Sequence, residues 1–350
     1  GFDGFVVSDW GGSNDHALGV KNGSHLEMPG TGKSGMYDII HAVENGDLDE
    51  AVLDQRLDEL LNVIFSTHQA TEDAKGKTFD VEAHHNLARK AAEESIVLLK
   101  NEEQILPLKP GTKVAVIGDF AKTPRYQGAG SSLVNPAKQP EAILDVIGST
   151  DLDVIAYEQG YIRNRKPNQK LTKAAVELAK KADIVLFFGG LDEISESEGL
   201  DRTHMSMPAA QETLLNELTT VNKNIIVVLS AGSAIEMPWY PYVKGMVHGY
   251  LGGQAGASAM LNILTGKVNP SGKLNETYPI YYEDTPAYAY YPSKERSSEY
   301  RESLYVGYRY YTTVGKSTRF PFGYGLSYTT FEYKDLKIDT EGVTFTIKNT

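Results

Sequence analysis

The chain has 350 residues, enough for more than one domain, and 41% of them are hydrophobic, as in ordinary globular proteins. Its formal net charge of −12 disfavours nucleic acid, whose phosphates repel an acidic protein, and no apolar run approaches the ~20 residues of a membrane span. The absence of cysteine excludes disulfides and thiolate chemistry, and the eight histidines show no zinc-binding spacing. We therefore expect no metal, cofactor, nucleic acid or membrane among its partners.

The first candidate site lies in the first ten residues. The apolar run at residues 2–7 predicts a buried β-strand, and this strand ends at Asp9 and Trp10. An Asp at the C-terminal tip of a buried parallel strand lies where α/β barrels hold their catalytic residues. The Trp10 ring is flat and can stack on the C–H face of a sugar. The alternatives are an Asp9 that caps the next turn and a Trp10 that belongs to the core.

Residues 1–70 are predicted to contain two strands and then a helix. The second strand is short and lies at 23–30, where Pro and Gly end it, and apolar residues from Leu48 to Ile64 recur at helical spacing. This order corresponds to the last quarter of a (β/α)8 barrel. Because a barrel needs about 250 residues, about six of its strands would be missing, and we expect the chain to be a fragment.

The middle of the chain alternates strands with helices. A polar stretch at 71–77 is predicted to be a linker, and the next domain is predicted at 78–285. The alternation predicts a mainly parallel sheet flanked by helices, which is an α/β sandwich domain. Strands are predicted at 114–117, 154–156, 184–188, 225–229 and 245–247, and helices near 82–98, 139–147, 171–182, 208–222 and 254–265.

The last region, 286–350, is predicted to begin as an aromatic linker. Up to Pro321 it is rich in tyrosine and shows no regular periodicity. Alternating patterns at 336–338 and 343–347 then predict two strands. We expect these strands to be the start of a β-sandwich.

The second candidate site is the acid loop, residues 193–202, which follows the strand predicted at 184–188. It contains four acids within ten residues: Glu193, Glu196, Glu198 and Asp201. Mutual repulsion is expected to raise the pKa of one of them, as a general acid requires. Ligands bind at this edge of open α/β sheets. The alternative is a solvated acidic loop without a catalytic role.

Several motifs in fixed order resemble glycoside hydrolase family 3, the β-glucosidase type. The opening GFDGFVVSDW is similar to the nucleophile signature that closes the seventh barrel strand of that family, and SEGLDR at 197–202 is similar to its acid/base element. The resemblance spans essentially the whole chain. Further similar elements lie at 92–101, 105–108, 128–136, 269–274, 305–311 and 320–328.

The resemblance implies a retaining exo-acting β-glucosidase. It would hydrolyse terminal non-reducing β-D-glucosyl residues through a glycosyl-enzyme intermediate, with Asp9 as nucleophile and Glu198 as acid/base. Glu196, which is acidic and two residues away, is the nearest rival of Glu198. We expect Trp10 to bind substrate as a wall of the sugar site. Asp201 and Arg202 are expected to support the site by orienting the acid loop.

The resemblance also implies a domain order and partners. Residues 1–70 would be the last strands and helices of a (β/α)8 barrel, 78–285 an α/β sandwich, and 286–350 a linker and a truncated fibronectin type III-like domain. The expected partners are a β-glucoside or short β-glucan, and the missing barrel portion or a second copy of the chain. The fragment by itself is expected to be inactive. The alternatives are a β-xylosidase of the same family and a catalytically silent carbohydrate-binding or structural fragment.

Two positions depart from the family pattern. His25 stands where the family usually has an Asp, in the strand predicted at 23–30, and Ser303 stands where a Gly is common. Neither residue is one of the two proposed carboxylates. His25 nevertheless bears on the geometry expected around Asp9.

Overall fold

The computed structural model describes residues 2–163 and 166–350. The chain divides into two compact units, Gly1–Phe79 and Asp80–Thr350. Each unit has its own secondary structure, and each carries one of the two carboxylates predicted to be catalytic.

The first unit is mainly helical. Its longest helix confirms the helical spacing seen from Leu48 to Ile64, and begins where the Asp49 side chain accepts the Ala51 N–H. This helix continues to Asp73, so the linker predicted at 71–77 begins inside it. The two shorter helices were not predicted from the spacing of apolar residues. The helices are α1 (His16–Lys21), α2 (Lys33–Glu44) and α3 (Glu50–Asp73).

The apolar run at 2–7 is not the buried strand that was predicted. Within the described residues it forms one parallel bridge, between Val7 and Leu26, and the strand predicted at 23–30 is reduced to the same bridge. Phe2 is 76% exposed. The reason is that, among the described residues of the first unit, this run pairs with a single extended segment, so one of its edges and much of its apolar surface remain uncovered there. The barrel inferred for residues 1–70 stays a prediction.

The second unit is built on a mainly parallel six-stranded sheet, counted over its described residues, as the alternation predicted. The strand order is β1-β6-β5-β4-β2-β3, and every neighbouring pair is parallel except β1 with β6. The strands are β1 (Val97–Asn101), β2 (Lys113–Ile117), β3 (Asp153–Glu158), β4 (Ile184–Gly190), β5 (Ile225–Ser230) and β6 (Gly245–His248).

One strand of this sheet was missed. The helix predicted at 82–98 ends at Ser95, and the chain continues into the antiparallel edge strand β1. A short, continuous apolar run has no periodicity that distinguishes a buried strand from the end of a helix. Val97, Leu98 and Leu99 form such a run and are fully buried.

Helices cover both faces of the sheet. Adjacent residues of β4 point to opposite faces, so Phe187 packs in one core and Phe188 in the other. The Phe187 core contains residues of α6 and α7, and the Phe188 core contains residues of α4, α5 and α8. These helices are α4 (Val81–Ser95), α5 (Ile143–Val146), α6 (Gln169–Ala179), α7 (Ala209–Val221) and α8 (Gly256–Leu264).

The end of the second unit contains two small antiparallel pairs of strands. The last pair is a hairpin whose strand residues are all exposed, at the positions where the sequence predicted two strands. The fibronectin type III-like domain stays a prediction. The elements are β7 (Tyr278–Pro279), α9 (Tyr308–Val314), β8 (Thr318–Phe320), β9 (Phe331–Ile338) and β10 (Val343–Asn349).

Candidate active site

Asp9 lies two residues after the bridged residue Val7, at the start of a turn. Its Oδ1 accepts the N–H of Trp10 at 2.7 Å, and its carbonyl accepts the N–H of Gly12 at 2.9 Å. Its Oδ2 has no hydrogen-bond partner among the described residues of its own unit. Trp10 is 66% exposed, so it is not a core residue of this unit. Asp9 therefore binds the next amide with one oxygen and presents the other.

The turn that carries Asp9 is held by a second segment. The Ser8 N–H donates to the Leu26 carbonyl at 2.9 Å, and the Ser8 hydroxyl oxygen accepts the Met28 N–H at 2.9 Å. The Gly11 N–H donates to the Met28 carbonyl at 3.3 Å. Because partners lie on both sides of Asp9, its backbone has little freedom.

His25, the departure from the family pattern, braces the segment that leads to Asp9. Its Nδ1 accepts the N–H of Val6 at 3.0 Å, so its Nε2 carries the proton and donates to Glu59 at 2.7 Å. That hydrogen bond holds the pKa of Glu59 below its usual value. His25 thus links α3 to the first segment of the chain.

Glu198 is exposed on the acid loop, and Ser131 holds its carboxylate. The Ser131 N–H donates to Oε2 at 2.6 Å, and the Ser131 hydroxyl donates to the same oxygen. The Glu198 N–H donates to the Ala129 carbonyl at 3.1 Å. The bond from the Ser131 hydroxyl, followed by that from its N–H, lowers the pKa of Glu198. The raised pKa expected from acidic neighbours is therefore wrong for Glu198, because hydrogen bonds that stabilise the ionised form dominate.

The glycine-rich segment at 128–132 is shaped to approach Glu198 closely. Gly130 has φ +93, and a Cβ added there would lie 2.6 Å from the Glu198 Cβ. Only glycine meets both conditions without strain. This explains why a glycine stands at this position of the motif at 128–136. The close approach also brings Ser131 into contact with Glu198, which the sequence did not reveal.

The other acids of the acid loop have different partners. Glu196 accepts the Gly232 N–H on both of its oxygens, at 2.8 and 3.0 Å, and the Ser233 hydroxyl at 2.6 Å. Glu193 pairs with Arg163 at 2.9 Å. The rival of Glu198 is therefore tied to the loop that follows β5.

Asp192 is a buried polar residue that the sequence reasoning missed. Its Oδ1 accepts both the N–H and the hydroxyl of Ser195, each at 2.9 Å. It folds the start of the acid loop into a turn directly after β4 and Leu191. Its position in the sequence could have identified it, since polar side chains just after a buried parallel strand often shape a binding loop.

The two supporting residues also have defined partners. Arg202 Nη1 donates to the Ser233 hydroxyl oxygen and to the Ala234 carbonyl, both at 2.9 Å. Burial lowers the pKa of Arg202. Tyr291 donates to the Asp201 carboxylate, which raises the pKa of Tyr291. Both residues thus connect the end of the acid loop to other parts of the second unit, and the orienting role expected for them stays a prediction.

The candidate site residues are distributed over both units. Asp9 and Trp10 belong to the first unit, and Glu198, Asp201 and Arg202 belong to the second. No group of three or more His, Cys, Asp or Glu side chains in the described residues could hold a metal ion. Among the described helices, none has both the length and the apolar character needed to cross a membrane.

Similarity to known proteins identifies the family. Residues 96–328 match the Glycosyl hydrolase family 3 C-terminal domain. The chain belongs to glycosyl hydrolase family 3. Over 345 residues, 97% of its length, it is 45% identical to thermostable beta-glucosidase B of Acetivibrio thermocellus, and it covers 45% of that protein. It is also 41% identical over its full length to an exo-alpha-(1->6)-L-arabinopyranosidase of Bifidobacterium longum, of which it covers 48%.

Solved structures of the family have the same fold as this chain. The family 3 beta-glucosidase of Bifidobacterium adolescentis matches all of the chain with a TM-score of 0.92 and 41% identity, and 52% of that protein is covered. Beta-glucosidase 3B of Thermotoga neapolitana, in complex with alpha-D-glucose, matches with a TM-score of 0.86 and 31% identity, and 54% of it is covered. The family expected from the motifs is thereby confirmed, and this family 3 chain spans about half the length of these relatives.

Proposed function

We propose that this chain supplies both catalytic carboxylates of a retaining exo-acting β-glucosidase, with Asp9 as nucleophile and Glu198 as acid/base. One observation carries the proposal: each unit presents an exposed carboxylate with one oxygen held by a neighbouring residue. The second oxygen of each has no hydrogen-bond partner among the described residues of its own unit. A carboxylate held in this way is oriented and still able to react. The named beta-glucosidases among its relatives support the choice of reaction.

The reaction proceeds in two steps. Glu198 protonates the glycosidic oxygen while Asp9 attacks the anomeric carbon, which breaks the glycosidic bond and forms a glycosyl ester on Asp9. Glu198 then removes a proton from water, and the resulting nucleophile displaces Asp9 to release the sugar with its anomeric configuration retained. The proposal requires the two carboxyl groups to come within about 5–5.5 Å of each other in the working enzyme.

The hydrogen bonds that Glu198 accepts favour its function in the second step of the reaction. Hydrogen bonds from Ser131 favour the ionised form, which is the form that takes a proton from water in the second step. The first step needs a protonated Glu198. At the separation that the retaining mechanism requires, the negative charge of Asp9 would favour that form, and this charge disappears when Asp9 becomes an ester.

We also propose a domain assignment, which is supported by membership of glycosyl hydrolase family 3. Residues 1–70 contribute to the closing part of a (β/α)8 barrel, 78–285 form the α/β sandwich, and 286–350 hold a linker and the start of a fibronectin type III-like domain. The exposed Trp10 ring provides a stacking surface for the sugar. The substrate is a β-glucoside or a short β-glucan.

A second sugar specificity is favoured by the relatives. Two proteins 41% identical to this chain are named exo-alpha-(1->6)-L-arabinopyranosidases. An α-L-arabinopyranoside is therefore the second candidate substrate, and a β-xyloside remains the alternative within the family. The silent-module alternative predicts that none of these glycosides is hydrolysed.

The test uses the protein as its gene encodes it. The kcat/KM values for p-nitrophenyl β-D-glucoside, β-D-xyloside and α-L-arabinopyranoside rank the three specificities. A 2-deoxy-2-fluoro-β-D-glucoside should trap the ester, and mass spectrometry should locate the label on Asp9. Asp3→Ala removes another exposed acid of the same segment and should leave labelling unchanged. A label on any other residue, or an unmodified protein that hydrolyses none of these glycosides, would contradict the proposal.

A further inference from the structure

The loop that follows β5 receives two side chains of the acid loop. The Glu196 carboxylate accepts the Gly232 N–H and, at 2.6 Å, the Ser233 hydroxyl. Arg202 Nη1 donates to the same hydroxyl oxygen at 2.9 Å. A serine hydroxyl has one proton and can also accept, so Ser233 donates to Glu196 and accepts from Arg202. The three side chains form one connected series, which we call the Ser233 clamp.

The clamp depends on the negative charge of Glu196. A charged acceptor strengthens each hydrogen bond that it receives, and Glu196 receives bonds from both the Gly232 N–H and the Ser233 hydroxyl. Its charge also favours the charged form of Arg202, against the burial that lowers the pKa of Arg202. The fit is close, since a Cβ on Gly232 would lie 3.3 Å from the Glu196 Oε1.

The clamp brackets Glu198 along the chain. Glu198 follows Glu196 by two residues and precedes Arg202 by four. The backbone between the two ties is irregular apart from a bridge between Ser197 and Ala129. A short segment with both ends fixed has few conformations available to it, so the clamp limits the positions that the Glu198 backbone can reach.

We propose that Glu196 is a positioning residue of the reaction: through the Ser233 clamp it holds the acid loop so that Glu198 reaches the glycosidic oxygen. This inference rests on the proposed role of Glu198 as acid/base. It also gives Glu196 a role other than that of acid/base, for which it was the rival of Glu198. The Glu196 carboxylate already accepts hydrogen bonds from Gly232 and Ser233.

The test separates positioning from proton transfer and from folding. In the protein as its gene encodes it, kcat/KM is measured for methyl β-D-glucoside, whose leaving group needs a proton, and for 2,4-dinitrophenyl β-D-glucoside, whose leaving group needs none. Glu196→Ala should lower the first on the order of 10²-fold, because displacement of a catalytic group by about 1 Å costs that much. The second value should stay within about threefold. Glu196→Gln keeps part of the hydrogen bonding and should lose less than Glu196→Ala.

A double-mutant cycle tests the shared hydroxyl. Ser233→Ala should also lower kcat/KM for methyl β-D-glucoside selectively. The double variant with Ser233→Ala and Glu196→Ala should lose no more than the more severe single variant, because both substitutions remove the same hydrogen bond between Ser233 and Glu196. Glu193→Gln is the matched control, since Glu193 lies in the same loop but pairs with Arg163. It should leave the ratio of the two kcat/KM values unchanged.

Azide distinguishes Glu196 from Glu198. Azide can replace the water that an acid/base normally deprotonates, so Glu198→Ala should form β-glucosyl azide, while Glu196→Ala should form none.

Three results would overturn the inference: equal losses on both substrates in Glu196→Gln, additive losses in the double variant, or glucosyl azide from Glu196→Ala. Thermal unfolding of each variant shows whether an equal loss of kcat/KM on both substrates comes from an unfolded protein. If Glu196→Ala is unfolded, the result for Glu196→Gln decides, because glutamine preserves the size and polarity of the side chain. If Glu198→Gln shows no dependence on the leaving group while the unmodified protein is active, the proposed function fails first.

Discussion

His248 on β6 is completely buried, and it makes the stability of the second unit depend on pH. Its Nε2 accepts the Tyr278 hydroxyl at 2.8 Å, so its Nδ1 carries the proton and faces the Leu229 carbonyl at 3.3 Å. A proton added to Nε2 would meet the hydroxyl hydrogen that Tyr278 now donates. Burial lowers the pKa of His248 to about 4.

The sign and size of the effect follow from that value. In the unfolded chain the pKa is about 6.5, so the unfolded state binds this proton at a higher pH than the folded state does. Stability from His248 is therefore complete above about pH 6.5 and is lost as pH falls toward about 4. Between about pH 7.5 and about pH 4.5 the loss amounts to about 2.5 kcal/mol.

Urea unfolding followed by tryptophan fluorescence measures this loss. Trp239 is fully buried in the Phe187 core, and Trp10→Phe removes the signal of the first unit. His248→Gln, which does not titrate and can still form hydrogen bonds, is the comparison. The parent should lose about 2.5 kcal/mol more than His248→Gln on acidification, because all other titrating groups are common to both proteins. Equal losses in the two proteins would refute the reasoning.

Three further predictions concern the proposed active site. Asp9→Ala should reduce turnover of an aryl β-glucoside on the order of 10³-fold or more, because no ester can form, and near-normal turnover would exclude Asp9 as nucleophile. Glu198→Gln should lower kcat/KM for cellobiose far more than for 2,4-dinitrophenyl β-D-glucoside, and equal losses would indicate a structural role. Ser131→Ala should raise the pKa of Glu198, since its hydroxyl is the main cause of the lowering, and an acid with a raised pKa stays protonated to higher pH. The alkaline limb of the kcat/KM profile should therefore move to higher pH, and an unmoved limb would show that Ser131 does not control Glu198.

Much of the sheet could be predicted because its strands are short, continuous apolar runs separated by amphipathic helices. Strands β2 to β6 lie within a few residues of their predicted positions. The misses have local causes. β1 begins two residues after α4 ends, without a turn residue between them. The run at 2–7 has the composition of a buried strand, but burial depends on what lies beside a segment and not on its own residues.

The sequence by itself indicated the family and the two candidate carboxylates, because Asp9 and Glu198 lie in contiguous motifs. Only the tertiary structure showed which partners the acids of the acid loop have. The partner of Glu198 is 67 residues away at Ser131, and Ser233 lies 37 residues from Glu196. Counting charges along the chain predicted a raised pKa for one of these acids, whereas the pKa of Glu198 is lowered. The reason is physical: proton affinity depends on the hydrogen bonds that a carboxylate accepts, and the fold assigns those donors from distant segments.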